Sequence, residues 1–435
     1  MMIQARLFSS NIKKSISAQF FGFIVNVLIQ LMSVPILIRF WGVEKYGSWL
    51  ILFAIPSFVG VSDLGMGSAV SNRVVFFLNK KAISAANRLI NSSFYFITLL
   101  ASLISLIFIS GSHFLYEYRI IETDSFSKNE FYISFSLLVF YFFLAILLSL
   151  PQGLYRALDI YARGQMLSSF YKLVETLFLI ISVYLNGNFI HVCLVIVLTR
   201  LIYFFVLLYD LKAKANWLII SKPFLDYSIT RTLFKSSSSF MFISLGQSFV
   251  LQGIILIVGR YGSSSEVVMY STSRTILNVS KQITGFINNA FWGELTSTFA
   301  SKNVVKFKQT FHKLFKLSFK VNVLMSTLLI FIGVWVIKIW TNNSFEMNSL
   351  FFYLMILLIF IENIYTIDWV LLMSINSHAR TVPPFVFISI IMVVISFWLY
   401  PSFGILCVPV IFISGSILLV LSFRKLRKLI FKNLQ

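Results

Sequence analysis

The stretch PILIRFWGVEKYGSW, Pro35–Trp49, closes one apolar run at a charge and opens a second run beyond a glycine. The run before it starts near Ser15 and the run after it reaches about residue 76, and each is long enough to cross a hydrocarbon core of roughly 30 Å as a helix. Arg39 then anchors the end of the first helix at a membrane surface. Gly42 and Gly47 let the chain turn sharply, and Trp41, Tyr46 and Trp49 suit an interfacial aromatic belt. The stretch reads as the junction between two transmembrane helices.

The same alternation fills the chain. Of its 435 residues 58% are hydrophobic and 12% charged, and the mean hydropathy is +0.88, well outside the range of soluble globular domains. The expected fold class is all-α: a polytopic membrane protein with about 12 transmembrane helices. Spans are drawn at 15–39, 46–76, 88–112, 131–155, 165–186, 189–210, 232–259, 266–299, 317–340, 348–376, 382–400 and 403–423. The first run is too long for a signal peptide's apolar core and no small-residue cleavage site follows it, so it reads as a retained helix.

The net charge of +21 is mostly a topology signal. Arg6, Lys13 and Lys14 precede the first span, and Lys80, Lys81 and Arg88 lie around the second connection. Lysines and arginines also crowd the sixth and eighth connections and the C-terminal tail, whereas the connection 113–130 carries four acids, Glu117, Glu122, Asp124 and Glu130. Positive-inside logic puts both termini in the cytoplasm, with some attraction to anionic membrane lipids. No nucleic-acid partner is implied.

Weak self-similarity recurs at an offset near 220 residues, as in transporters made of two related bundles. Ser15 and Asn26 fall against Ser236 and Gln247, Gly42 against Gly262, and LDIYARG (158–164) against INSHART (375–381). The expected organisation is two pseudo-repeated six-helix bundles, 1–210 and 231–435, joined by a polar cytoplasmic linker, 211–230.

Several helices carry polar stripes. At about 100° per residue, Arg274, Asn278, Lys281, Gly285, Asn288 and Trp292 share one face of the eighth span. Ser15, Gln19, Gly22, Asn26, Gln30 and Ser33 share a face of the first, and Gly60, Asp63 and Gly67 one of the second. Small and polar residues could simply hold helices together. Two cations two turns apart are harder to read that way, because a charge near the bilayer centre costs at least about 2.5 kcal/mol and seeks water or a partner. Arg274 and Lys281 are therefore expected to line an aqueous cationic vestibule.

Glu175 and Arg200 lie equally far from the turn between the fifth and sixth spans, which predicts a structural ion pair at one depth. Asp63, Glu362 and Asp368 have no partner close in sequence; each could titrate as a coupling group or pair with a cation elsewhere, and Asp63 could pair with Lys281. Cys193 and Cys407 sit in apolar segments and read as small hydrophobes. The chain lacks a P-loop, HExxH, C-x-x-C and GxSxG, and its four histidines are scattered. No cofactor, catalytic metal or enzymatic triad is implied.

PILIRFWGVEKYGSW, with SDLGMGSA (62–69) downstream and GLYRALDIYARGQ (153–165) in the fourth connection, resembles the polysaccharide transporters, in particular the O-antigen repeat-unit flippases (Wzx type) of the multidrug/oligosaccharidyl-lipid/polysaccharide (MOP) exporter superfamily. The resemblance covers the whole chain. It implies alternating-access transfer of an undecaprenyl-diphosphate-linked oligosaccharide across a bacterial inner membrane, with a polysaccharide polymerase and a chain-length regulator as partners. In that setting Arg274 and Lys281 would hold diphosphate or acidic sugars, while Asn278, Asn288, Asn289, Asn26, Gln30 and Gln247 would bond sugar hydroxyls. A cation-coupled drug exporter of the same superfamily is the nearest alternative, disfavoured because residues 15–38 contain no acid. A membrane enzyme of glycan assembly is a second alternative.

Overall fold

The computed structural model describes residues 2–61, 66–118, 127–218, 226–375 and 377–433. They form twelve α-helices: α1 (Met2–Val61), α2 (Met66–Asn79), α3 (Ile83–Glu117), α4 (Lys128–Ala157), α5 (Tyr161–Tyr184), α6 (Phe189–Lys214), α7 (Tyr227–Tyr261), α8 (Ser264–Ala300), α9 (Val304–Trp340), α10 (Ser349–Ser374), α11 (Val382–Phe403) and α12 (Cys407–Asn433). The protein is an all-α multi-pass membrane protein. Among the described residues, eight helical segments are long and apolar enough to cross a bilayer by length and composition. α2, at 14 residues, and α8 fall outside that set. α8 carries the Arg274 and Lys281 stripe that lowers its hydropathy.

α1 holds the first expected span and the start of the second, parted at Gly42, whose φ of 76° and ψ of 171° leave the helical region. Only glycine adopts that backbone geometry without strain of order 1–3 kcal/mol. Before the break the chain runs parallel to α5, since Asn26 meets Lys172 and Trp41 Nε1 donates to the Gly187 carbonyl beyond the end of α5. After it the chain runs parallel to α4: Phe53 packs on Phe142, and Gly67 lies against Ser149 and Gly153. Because α4 and α5 are joined by a short turn and run antiparallel, the chain reverses direction at Gly42. The α2–α4 crossing is close enough that a Cβ on Gly67 would come within 2.5 Å of the Ser149 carbonyl.

Two expectations about this junction change. Gly47 is helical, so the turn belongs to Gly42. Trp41, Tyr46 and Trp49 are 9%, 4% and 6% exposed; they pack inside the protein and do not form a belt at the water interface.

The described chain parts into two compact units, Met1–Trp41 with Ile51–Ser248, and Gly42–Leu50 with Phe249–Gln435. In the N-terminal unit α4 is the central helix, with 61% of its apolar stretch buried, whereas α3 has 11%. In the C-terminal unit α10 is central at 50% and α9 peripheral at 11%. The helix six places later in the chain takes the same station. Peripheral faces carry exposed Leu103, Leu106 and Ile107 on α3, and Phe331, Trp335 and Ile339 on α9. Such apolar faces match hydrocarbon and would be unfavourable in water.

Ends of the N-terminal unit are tied by charge. Arg163 at the start of α5 chelates Asp210 of α6, with its Nε 3.0 and 2.9 Å from the two carboxylate oxygens, and the Tyr155 hydroxyl donates to the same group at 2.8 Å. Arg88 of α3 holds Asp226 at 3.1 Å, and Asn87 donates to the Trp217 carbonyl at 2.7 Å. In the C-terminal unit a cluster of Phe307, Phe311, Leu314, Leu371 and Ile430 joins α9, α10 and α12. Cys193 and Cys407 are buried free thiols in apolar packing.

Candidate functional site

A cavity of about 470 Å³ opens inside the N-terminal unit between α1, α4, α5 and α6. Asn26 and Gln30, one turn apart on the α1 stripe, form one wall, and Gln152, Ser168, Lys172 and Thr176 form others. A smaller cavity of about 200 Å³ shares Ser149, Gln152 and Ser168 with it and continues toward Arg156 and Tyr161 at the α4–α5 turn. The two cavities thus have part of their polar lining in common.

The structure brings Glu175 and Arg200 together on the cavity wall, 3.7 Å apart and only 13% and 14% exposed. Neither charge relies on the other alone. The Tyr171 hydroxyl donates to Glu175 Oε1, and Arg200 Nε donates to that hydroxyl at 2.9 Å. The guanidinium also stands 3.5 Å from the Tyr141 ring centre, a favourable cation–π contact. Tyr171 stacks in turn on Tyr203 at 4.1 Å and 6°. Shared hydrogen bonds and an aromatic face offset the desolvation that an isolated buried pair would suffer. Lys172 Nζ reaches α1 and donates to Asn26 Oδ1 at 3.1 Å.

In the C-terminal unit two groups of the α8 stripe, Lys281 and Asn288, meet side chains of neighbouring helices. Lys281 forms an ion pair with Glu362 of α10, so Glu362 has a cation from within its own unit. Asn288 is 3% exposed and accepts from Ser318 of α9 at 3.0 Å, which places it in packing and not in a cavity wall. Between these positions runs a buried amide chain absent from the sequence reading: Thr284 donates to Asn363 Oδ1 at 3.2 Å, Asn363 to Asn322 Oδ1 at 2.9 Å, and Asn322 to the Phe360 carbonyl at 2.9 Å. Arg274 is half-buried, with Nη1 3.4 Å from the Leu251 carbonyl and the Tyr270 ring 5.8 Å away. Asn278 is half-buried, and Asn289 and Gln247 are exposed.

Asp368 is fully buried and paired with Arg427 of α12, whose guanidinium lies 5.2 Å from the Phe311 ring centre. Its Oδ1 thus meets a cation from within its own unit, while its buried Oδ2 has no hydrogen-bond partner among the described residues. Asp63 lies outside the described residues. The residues that sequence reasoning missed are Tyr141, Gln152, Tyr171, Lys172 and Tyr203. Their signal was faint: a tyrosine and lysine beside Glu175 in YKLVE (171–175), and scattered aromatics in otherwise apolar helices.

No protein-family model matches the chain, and no curated protein matches it. Solved structures do. The inward-facing structure of a multidrug resistance MATE family transporter of the MOP superfamily aligns with a TM-score of 0.78 over 94% of this chain and 95% of that one, at 11% identity. The chain has the fold of the MATE transporters. An outward-facing multidrug resistance MATE structure aligns at TM-score 0.70 and 13% identity over 98% of this chain and 96% of that one. A MOP superfamily transporter from Pyrococcus furiosus, described as having a binding pocket of reverse polarity that suggests a different function, aligns at 0.65 and 11% over 95% and 96%. At such identities the likeness carries the fold alone.

Proposed function

We propose that the protein is a flippase that moves an undecaprenyl-diphosphate-linked oligosaccharide, such as an O-antigen repeat unit, from the cytoplasmic to the outer leaflet of a bacterial inner membrane. The observation that carries this reading is the N-terminal cavity: a space of about 470 Å³ lined by amides, hydroxyls and an excess of positive charge, set inside helices whose outer faces suit lipid. Amides and hydroxyls both donate and accept, as sugar hydroxyls require. The MATE fold supports alternating access, since that fold has been seen facing inward in one neighbour and outward in another. The basic connections support cytoplasmic termini.

In this reading Arg274 engages the diphosphate, and Lys281 joins it when the conformational cycle parts it from Glu362. Asn278, Asn289 and Gln247 offer bonds to the glycan at stages when their faces border the substrate. The polyprenyl tail stays in lipid, so only the head group is desolvated against polar protein. A polymerase and a chain-length regulator would act on the delivered unit.

The likeness to multidrug resistance transporters favours one competing reading, a drug exporter. The excess of cations in the cavity disfavours a cationic drug as cargo. Reconstitution decides between them: proteoliposomes should transfer labelled lipid-linked oligosaccharide between leaflets well above protein-free vesicles. Transfer at the protein-free rate, with uptake of cationic dyes instead, would replace the flippase with the exporter.

A further inference from the structure

The N-terminal cavity contains one positive charge more than its own acids answer. Among the described residues lining it, Lys172 and Arg200 stand against Glu175 alone. Glu175 is taken up by Arg200 at 3.7 Å and by the Tyr171 hydroxyl. Lys172 is left with the amide oxygen of Asn26 at 3.1 Å, an uncharged acceptor that uses one of the three ammonium donors. Lys172 is solvent-accessible and lines the cavity, so water or an anion completes the shell of its ammonium there. Around it the cavity supplies neutral hydrogen-bonding groups: Gln30, Gln152 and Ser168 line the same space. Tyr203 is 5% exposed, and its hydroxyl ends beside Gln152 and Ser168 without a hydrogen bond of ordinary geometry. The volume, about 470 Å³, falls within the roughly 300–1,000 Å³ of small-molecule sites.

Building on the flippase reading, we infer that this cavity is the sugar-reading subsite, and that Lys172 selects a repeat unit bearing one carboxylated sugar. The lysine ammonium meets the carboxylate in place of, or together with, the Asn26 oxygen. Gln30, Gln152 and Ser168 meet the ring hydroxyls. A surplus of a single charge matches one carboxylate, whereas the diphosphate of the lipid carrier brings more than one negative charge and would remain under-compensated here. The subsite is therefore assigned to the glycan and not to the lipid phosphates.

Calorimetric titration of the purified full chain separates these sources, using a soluble disaccharide containing one hexuronate, its neutral counterpart, and inorganic pyrophosphate. The acidic disaccharide should bind at least about tenfold more tightly than the neutral one, the weight of one hydrogen bond to a charged group. Lys172→Gln should erase that preference while leaving neutral binding intact. Lys172→Arg should keep part of it, and Lys128→Gln, at an exposed ion pair outside the cavity, should leave it unchanged. Equal binding of both disaccharides by the unaltered chain, a preference that survives Lys172→Gln, or displacement of the acidic disaccharide by pyrophosphate would each overturn the inference. Should Lys172→Gln fail to fold, Asn26→Asp decides, because a carboxylate placed against Lys172 must abolish the preference, and a preference that persists sinks the idea. Leaflet transfer is scored separately: selective binding without transfer removes the flippase reading and leaves the subsite standing.

Discussion

The two units share an order of helices but treat charge in opposite ways. In the N-terminal unit the central acid, Glu175, borders an open polar cavity and shares its environment with two cations. In the C-terminal unit Asp368 is sealed at 0% exposure against Arg427, and Lys281 is matched one-to-one by Glu362. Both α4 and α10 are at least half enclosed, with 61% and 50% of their apolar stretches buried, so the contrast does not come from the scaffold. A duplicated arrangement of helices thus constrains where side chains stand, while the individual residues decide whether the space between them is filled or left for a ligand.

That contrast has measurable consequences. The greatest loss is expected for Arg427→Met, which strands a fully buried carboxylate and should lower unfolding stability by about 3–5 kcal/mol, read as the thermal transition in detergent. Arg200→Met should lose less, about 1–3 kcal/mol, because cavity water can reach Glu175 and Tyr171 still donates to it. Adding Glu175→Gln to Arg200→Met should return part of that loss. If the two arginine variants lose equal stability, the cavity is dry and the distinction between the units fails. Asn322→Ala should cost about 1–2 kcal/mol by opening the amide chain to Asn363 and Phe360, with no effect on sugar binding if the C-terminal network is only packing. Lys128→Gln, which removes the exposed pair with Glu117, should leave the transition unmoved in the same assay.

The fold was largely legible from the chain. The expected spans fall on helices, the second of them, 46–76, on the end of α1 and on α2, and the break between the first two falls on the glycine of FWGVEKYG because only that residue tolerates φ 76° with an extended ψ. The depth of Glu175 and Arg200 could be counted from their shared turn, and the structure sets them side by side. The aromatic residues of the junction were less legible. Trp41, Tyr46 and Trp49 have the composition of a membrane interface, yet the same large apolar surface is equally suited to burial between helices, and packing took them.

The candidate site divides in the same manner. Asn26 and Gln30 on α1 reach a cavity, while Asn288, on an equally regular stripe of α8, is closed against Ser318. Helical periodicity gives the direction of a side chain around its own axis. It carries no information about what stands opposite. Lys172 was overlooked for that reason: its neighbour on α1 is 146 positions away in the chain.

By itself the sequence determined that this protein is a bundle of membrane helices, because apolar runs of this length must satisfy their backbone within each helix once water is excluded. It also determined which helices could show a polar face. Only the tertiary structure decided which of those faces meets space and which meets another helix, and which acid belongs to which cation. Those outcomes depend on distances of a few ångströms between segments far apart in the chain, over which the electrostatic energy of a charge in a low-dielectric interior is settled.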